Sequence, residues 1–423
     1  MLRKLAPWLC LCVAAISLIA SAAAQPTPDA DAPSVRQRRE HLDRLGVARW
    51  HRLGQRGQGV KIAVLDTGFR GWRQFLGQGL PKQVTVHSFR ADGDLEARES
   101  EHGILCGEIL HTITPEAELL FANWDTDVPA TFLQAVRWAK EQGARVITCS
   151  VIMPSWSDGE GGGNVHAALD LLIGKDLLFF ASAGNIAQRH WSGTLRPDAR
   201  GWHQWDGAVT NNVLEPWSND RVAVELYGPT ECSGTLQVID AESGAIVGQT
   251  PVCSTLCERK AWGQAVVRFD PEPRHNYQVC LKCPAGARLE KDAKFHVAVL
   301  GGNLEHSQAG GSIAFPADGA HVLAVGAVDR RGQRAPYSSC GPNSRLPKPD
   351  FVAVVPFPSQ CRERPFSGTS AAAPQAAALA ALWWSRQPTW SAAQVSAALH
   401  AAAFDLGPLG HDCETGYGLV HVP

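Results

Sequence analysis

The sequence predicts an α/β fold: a mostly parallel sheet with helices on both faces, plus an inserted antiparallel β-sandwich. Three observations predict it. Short apolar, β-branched runs alternate with helical periodicity through the first half and again near the C-terminal end, the pattern of parallel strands joined by crossover helices. Between these regions about 100 residues show short alternating runs separated by turn residues, without helical periodicity. Residues able to do chemistry also stand at strand ends and helix starts, where open α/β sheets place their ligand sites.

The elements follow in order. A helix is expected over about Gln37–Leu53, then strands over 60–65, 118–123, 145–151, 177–183, 322–328 and 351–355. His102 opens a helix whose Gly103, Cys106 and Gly107 permit close packing. Thr131–Gln142 is helical because Phe132, Ala135, Val136 and Ala139 recur at helical spacing. Val165–Leu172, Thr369–Ser385 and Ser391–Ala402 are the other clear helices. In the middle segment, Val222–Leu226, Thr235–Val238, Ala265–Phe269, Tyr277–Leu281 and Phe295–Leu300 alternate as strands. Trp191, Trp202, Trp205 and Trp217 crowd the entrance to this segment; packing against the α/β domain and stacking on a ligand are both open readings.

Four local patterns carry chemistry. The buried strand Lys61–Leu65 ends in Asp66-Thr67-Gly68, which is either a turn former or an acid at a ligand-binding strand end. His102 precedes a glycine at a helix start, as an exposed base would. The apolar run Leu177–Ala181 leads into Ser182-Ala183-Gly184-Asn185, which reads as a turn or as a positioned amide donor. Phe366-Ser367-Gly368-Thr369-Ser370-Ala371-Ala372-Ala373-Pro374 places Ser370 between a glycine turn and a helix start, where free first-turn N–H groups gather. Alone, Gly-Thr-Ser before a helix is an N-cap. An acid, then a base, then a serine is one of the chain orders of the Ser-His-Asp constellation.

Together these blocks resemble the subtilisin-like serine proteases, the subtilases. AVLDTG around Asp66, HG at His102, SAGN ending at Asn185 and SGTSAAAP around Ser370 carry the resemblance. The segments 322–342 and 349–357 support it. The likeness covers roughly 40–192 and 311–423 and leaves the middle outside. It implies an endopeptidase in which Ser370 attacks, His102 relays the proton and Asp66 orients the imidazole, with Asn185 and the Ser370 N–H stabilising the oxyanion. It implies substrate backbone lying along Ser150, Val151 and Ile152, with Ala183 and Gly184 opposite. The partners expected are protein or peptide substrates, and the inserted domain could bind a further partner. The chemistry needs no cofactor and no catalytic metal. Calcium is common in the family, yet no ligand cluster is assignable here.

Several positions depart from the family pattern. Ile104 stands where threonine is usual, Ala371 where methionine is common, and Ile152 replaces a glycine of the substrate edge. Side-chain preference therefore does not carry over. Two rival readings are a silent binding protein on the same scaffold and another serine hydrolase. Silent relatives commonly lose a catalytic residue, and no G-x-S-x-G elbow surrounds Ser370.

Composition sets the remaining bounds. The chain has 423 residues, 45% hydrophobic content and a net charge of −2. That describes a globular chain and gives no support for nucleic acid or an anionic membrane as partner. Arg3 and Lys4, an apolar stretch from Leu9 to Ala20 and Ser21-Ala22-Ala23-Ala24 form a signal peptide, residues 1–24, too short to span a bilayer. Secretion or delivery to a periplasm follows. The expected division is then a flexible Pro/Ala/Asp-rich tail at 25–36, too short for the usual prodomain, the catalytic domain at 37–192 and 311–423, and the sandwich at 193–310. Ten cysteines remain after export, an even number suited to disulfides. Cys340 with Cys361 would brace the nucleophile loop, and Cys106 and Cys149 are either paired or buried thiols. Cys253, Cys257, Cys280 and Cys283 have disulfide spacing or, alternatively, a zinc-like one.

Overall fold

The computed structural model describes residues 33–218, 220–229, 234–255, 262–284, 287, 294–343, 347–360 and 362–423. The signal-peptide reading lies outside them. The described residues open with α1 (Pro33–Arg44) and α2 (Val47–Arg52), then β1 (Lys61–Leu65), β2 (Thr85–Phe89), α3 (His102–Ile113) and β3 (Glu118–Trp124). There follow α4 (Pro129–Glu141), β4 (Val146–Cys149), α5 (Asn164–Ile173) and β5 (Leu178–Ser182). The single helix expected over 37–53 is two helices. Gly46, at φ 78°, turns the chain between them, and a Cβ there would collide with the carbonyl of Val422.

Among the described residues the middle of the chain forms ten strands: β6 (His190–Gly193), β7 (Asn212–Pro216), β8 (Val222–Pro229), β9 (Thr235–Asp240), β10 (Ile246–Pro251), β11 (Cys253–Thr255), β12 (Trp262–Phe269), β13 (Tyr277–Lys282), β14 (Phe295–Leu300) and β15 (Gly302–Leu304). The chain then returns through β16 (Val322–Val328), β17 (Phe351–Val354), α6 (Thr369–Arg386) and α7 (Ala392–Ala402).

Seven strands make one sheet in the order β17-β16-β5-β4-β1-β3-β2. Every pairing in it is parallel. Apart from the half-exposed edge strand β2, its strands are largely apolar on both faces because both are covered. On one face Ile62, Val64, Phe121 and Phe180 pack with α3 and α6. On the other, Ala63, Leu65, Ala122 and Phe179 pack with Phe132, Ala135 and Val136 of α4 and with Leu169 of α5. The alternating side-chain direction of a strand thus feeds two separate cores. Helix α6 runs through the first of these, and its alanines from Ala371 to Ala381 are fully buried.

The middle segment forms two five-stranded antiparallel sheets, β10-β9-β13-β7-β15 and β11-β12-β8-β14-β6. Leu226, Leu236, Val238, Val267, Leu281 and Val297 fill the space between them. Trp191 and Trp205 belong to this core, with ring centroids 5.1 Å apart, so they pack within the sandwich rather than against the α/β domain. Trp217 is exposed beneath the Arg189 guanidinium. A smaller apolar seam joins sandwich to α/β domain, where Tyr227 and Ala298 meet Ile186 and Ala314.

Candidate active site

Asp66 follows β1 directly and is completely buried. Its Oδ1 accepts hydrogen bonds from the N–H groups of Thr67 (2.8 Å) and Gly68 (3.0 Å). That leaves Oδ2 for His102, whose Nδ1 lies 2.7 Å away. The pairing depends on how closely α3 approaches β1. A Cβ at Gly103 would lie 2.5 Å from the Phe69 ring and 2.8 Å from Asp66 Cβ, so only glycine after His102 allows it. The Gly103 N–H donates to Gly68 O at 2.7 Å and locks the contact.

His102 is the first residue of α3, and its side chain is about one-third exposed (32%). Burial works to lower its pKa, but the charge of Asp66 and the hydrogen bond to it together outweigh burial, while Arg362 opposes them. The net result is a pKa above the ordinary 6.5. The Phe366 ring stands edge-on to the imidazole, with centroids 5.4 Å apart.

Ser370 sits in the first turn of α6, nearly buried, after Gly368 at φ 86°. Its Oγ donates to Ser150 O at 3.3 Å, and Ser150 Oγ donates back to Ser370 O at 3.2 Å. Among the described residues no hydrogen bond joins Ser370 to His102, so the hydroxyl must rotate away from Ser150 to reach an imidazole nitrogen. Catalytic hydrogen bonds are often formed only when substrate is bound.

Asn185 is oriented by Thr369. Its Oδ1 accepts from Thr369 N and Thr369 Oγ1, both at 2.9 Å, and Thr369 Oγ1 accepts from the Gly184 N–H at 3.2 Å. A backbone N–H can only donate, so the carboxamide oxygen must face Thr369, which leaves Nδ2 on the side of Gly368. A Cβ on Gly368 would come within 3.0 Å of that nitrogen. The strand leading to the substrate-edge residues ends at Cys149, short of the 145–151 expected. Ser150, Val151 and Ile152 therefore continue past the sheet without a ladder partner. Ala183 is buried opposite them, followed by Gly184 at φ 105°.

The sequence model of the Subtilase family matches residues 57–243 and 260–418, most of the chain. The chain belongs to the subtilase family. Over 126 residues this subtilase is 36% identical to subtilisin DY of Bacillus licheniformis, a stretch covering 30% of this chain and 44% of that relative. Over 109 residues it is 38% identical to a thermostable alkaline protease of Halalkalibacterium halodurans, covering 26% of this chain and 29% of that one. The chain thus spans less than half the length of the curated relatives it matches. The solved CspB protease of Clostridium perfringens shares the fold, with a TM-score of 0.63 at 12% identity, over 90% of this chain and 97% of that one.

Two cavities flank the subtilase's site. One, of about 590 Å³, lies beside His102, Arg70, Arg362 and Phe366. The other, of about 430 Å³, runs between Thr67, Val151 and Ile152 on the α/β side and Arg221, Glu225 and Arg268 on the sandwich side. A third, of about 410 Å³, lies beside Asn185, Ser367 and Gly368. Cys106 lies under the site with Sγ 3.6 Å from Ser370 O and 4.0 Å from Asp66 Oδ2. Ligand atoms of Asp66, His102 and Cys106 fall within 4.8 Å of one another, but the hydrogen bond between the first two already commits them.

The expected disulfides are not seen among the described residues. Cys106, Cys149, Cys280, Cys283, Cys340 and Cys413 are free thiols, and Cys257 and Cys361 lie outside the described residues. Burial pushes the Cys149 thiol up to about 12 and that of Cys106 well above its ordinary value, so both are inert neutral groups.

The sequence motifs point to Asp66, His102, Asn185 and Ser370, and not to the residues that hold them in place. Thr369 lay inside a quoted motif, yet its role needs the fold to bring Asn185 near. Buried Glu108 gave no sequence signal. It accepts from Ser359 Oγ at 2.6 Å and from the Gln360 N–H, tying α3 to the chain that leads to Phe366 and Ser370.

Proposed function

We propose that this subtilase is an exported serine endopeptidase acting through an acyl-enzyme. The observation that carries the proposal is the Asp66–His102 pair at 2.7 Å, with the other carboxylate oxygen clamped by two backbone N–H groups. That clamp fixes the imidazole with its proton on Nδ1 and leaves Nε2 as a base. With a peptide in the cleft, Ser370 Oγ attacks the scissile carbonyl while its proton passes to His102 Nε2. The tetrahedral oxyanion takes hydrogen bonds from Asn185 Nδ2 and from the Ser370 N–H at the start of α6. The imidazolium then returns the proton to the leaving amine as the C–N bond breaks, and water releases the acyl group by the same relay. Ser150–Ile152, unpaired beyond the sheet, offers its backbone to an extended substrate.

The test compares the mature chain with Ser370→Ala, each incubated with an unstructured protein and a fluorophosphonate probe. Cleavage and labelling by the first alone support the proposal. A mature chain that neither cleaves nor takes up the probe at any pH from 6 to 10 refutes it and leaves a binding role for the scaffold.

A further inference from the structure

What the cleft accepts on the acyl side of the scissile bond can be read from one side chain, given the peptidase reading above. Strands β4 and β5 pair in parallel as far as Cys149 and Ala181. Past that point their continuations, Ser150–Ile152 and Ala183–Asn185, form two rails outside the carboxyl ends of adjacent strands, where open α/β sheets bind ligands. A scissile carbonyl placed between Ser370 Oγ, 3.3 Å from Ser150 O on one rail, and Asn185 at the end of the other would belong to a residue whose side chain enters the gap between the rails.

Ile152 already occupies it. A Cβ on Gly184 would lie 3.7 Å from both Cδ1 and Cγ2 of Ile152, ordinary van der Waals contact, so this side chain reaches from one rail to the other. It cannot sink further. It packs against the fully buried cluster of Ile186, Tyr227, Ala298 and Ala314, of which Tyr227 and Ala298 belong to β8 and β14 of the sandwich. The inserted segment thus backs the gap, and close-packed interiors yield little to added volume.

We infer that Ile152, wedged between Gly184 and the sandwich, closes the pocket for the residue whose carbonyl is attacked, restricting substrates to glycine or alanine at that position. The test uses otherwise identical fluorogenic peptides with glycine, alanine, leucine or phenylalanine before the scissile bond, read as kcat/KM. Wild type is expected to cleave the alanine peptide at least tenfold better than the phenylalanine one, the low end of the discrimination that an apolar pocket gives for differences in size. Ile152→Gly is expected to raise the phenylalanine-to-alanine ratio at least tenfold. Ile152→Ala, which keeps a Cβ, should raise it less, and it serves if the glycine variant fails to fold. Efficient cleavage after leucine or phenylalanine by wild type overturns the inference, and so does an unchanged ratio in variants that still take up fluorophosphonate. A wild type that labels yet prefers phenylalanine refutes this inference alone, whereas one that neither labels nor cleaves refutes the peptidase reading and this one with it.

Discussion

Asp66→Asn tests the geometry most directly, because the structure dictates how the new amide must sit. Oδ1 now accepts from Thr67 N at 2.8 Å and Gly68 N at 3.0 Å. If the NH₂ of asparagine faced those donors, one buried and one partly buried N–H group would lose their acceptor, at about 1–3 kcal/mol each. An orientation disfavoured by about 2 kcal/mol or more is populated at only a few per cent. The oxygen therefore stays on the backbone and the NH₂ faces His102 Nδ1 at the 2.7 Å position. There it must donate, which moves the imidazole proton to Nε2 and leaves no base for Ser370.

The expected loss is on the order of 10⁴ in kcat, as for the same change in the serine-protease triad of another fold. That is about 5.4 kcal/mol of barrier. The acid limb of the kcat/KM profile should also move. Deprotonation of His102 switches the enzyme on as pH rises, and the carboxylate holds that pKa above 6.5, so its removal shifts the residual activity to lower pH. The assay is peptide cleavage from pH 5 to 10, with thermal unfolding as a check on the fold. A folded variant within tenfold of wild type at neutral pH would refute the argument that Asp66 sets the tautomer.

Three further outcomes are expected. Asn185→Ala should lower kcat by about 10²–10³, the cost of one oxyanion donor in subtilisin itself, with little change in KM; a change confined to KM would show that the amide only binds substrate. Asp318→Ala should destabilise the fold by about 3–5 kcal/mol in denaturant titration, because the buried carboxylate accepts from His166 Nε2 (2.8 Å), Ser157 Oγ (2.5 Å) and Gly161 N (3.1 Å), and a loss below 1 kcal/mol would show that those donors find other partners. Stability should fall as pH drops from 6.5 towards 4: burial holds His190 neutral down to about 3 and His296 to about 4, while in the unfolded chain both protonate below about 6.5, a slope of about 1.4 kcal/mol per pH unit for each. His190→Gln with His296→Gln should flatten that slope, and an unaltered slope would place the titrating groups elsewhere.

The parts of the fold legible in the sequence are those in which one residue set satisfies one local rule. β1, β3, β4, β5 and β16 are apolar on both faces because two cores use them, β17 serves one of those cores and a smaller cluster of Val328, Val352 and Val354, and that run of β-branched residues is visible without a partner. The capping box of Ser391 and Gln394 marks α7 in the same way. β2 was not legible: Thr85–Phe89 is a half-exposed edge strand of mixed polarity, and its partner β3 alone defines it. In the sandwich the long strands alternate plainly, whereas β6, β11 and β15, each of three or four residues, take their identity from β14, β12 and β7. At the site, Asp66, His102, Asn185 and Ser370 are legible because each sits at an element boundary marked by glycine. Glu108 and Thr369 are not, since their partners lie 251 and 184 residues away in sequence.

The same distinction explains what the inserted segment does to the scaffold. An insertion after Asn185 could in principle hang clear of the cleft as a tethered module. Here its strand β8 instead delivers Tyr227 to the buried cluster against which Ile152 packs and Glu225 to the N–H of Ser155 at 3.0 Å, while Arg268 of β12 pairs with Asp127 at 2.7 Å across the second cavity. An apolar seam, a buried carboxylate and a surface ion pair thus fasten the sandwich along one wall of the cleft. The surface pair contributes little, about 0–1 kcal/mol. The buried contacts dominate: removing the sandwich would expose Ile186 and Ala314 and leave the Ser155 N–H without its partner. The insertion is therefore part of the cleft's wall, and any change that loosens it should alter which peptides fit before it alters how Ser370 reacts.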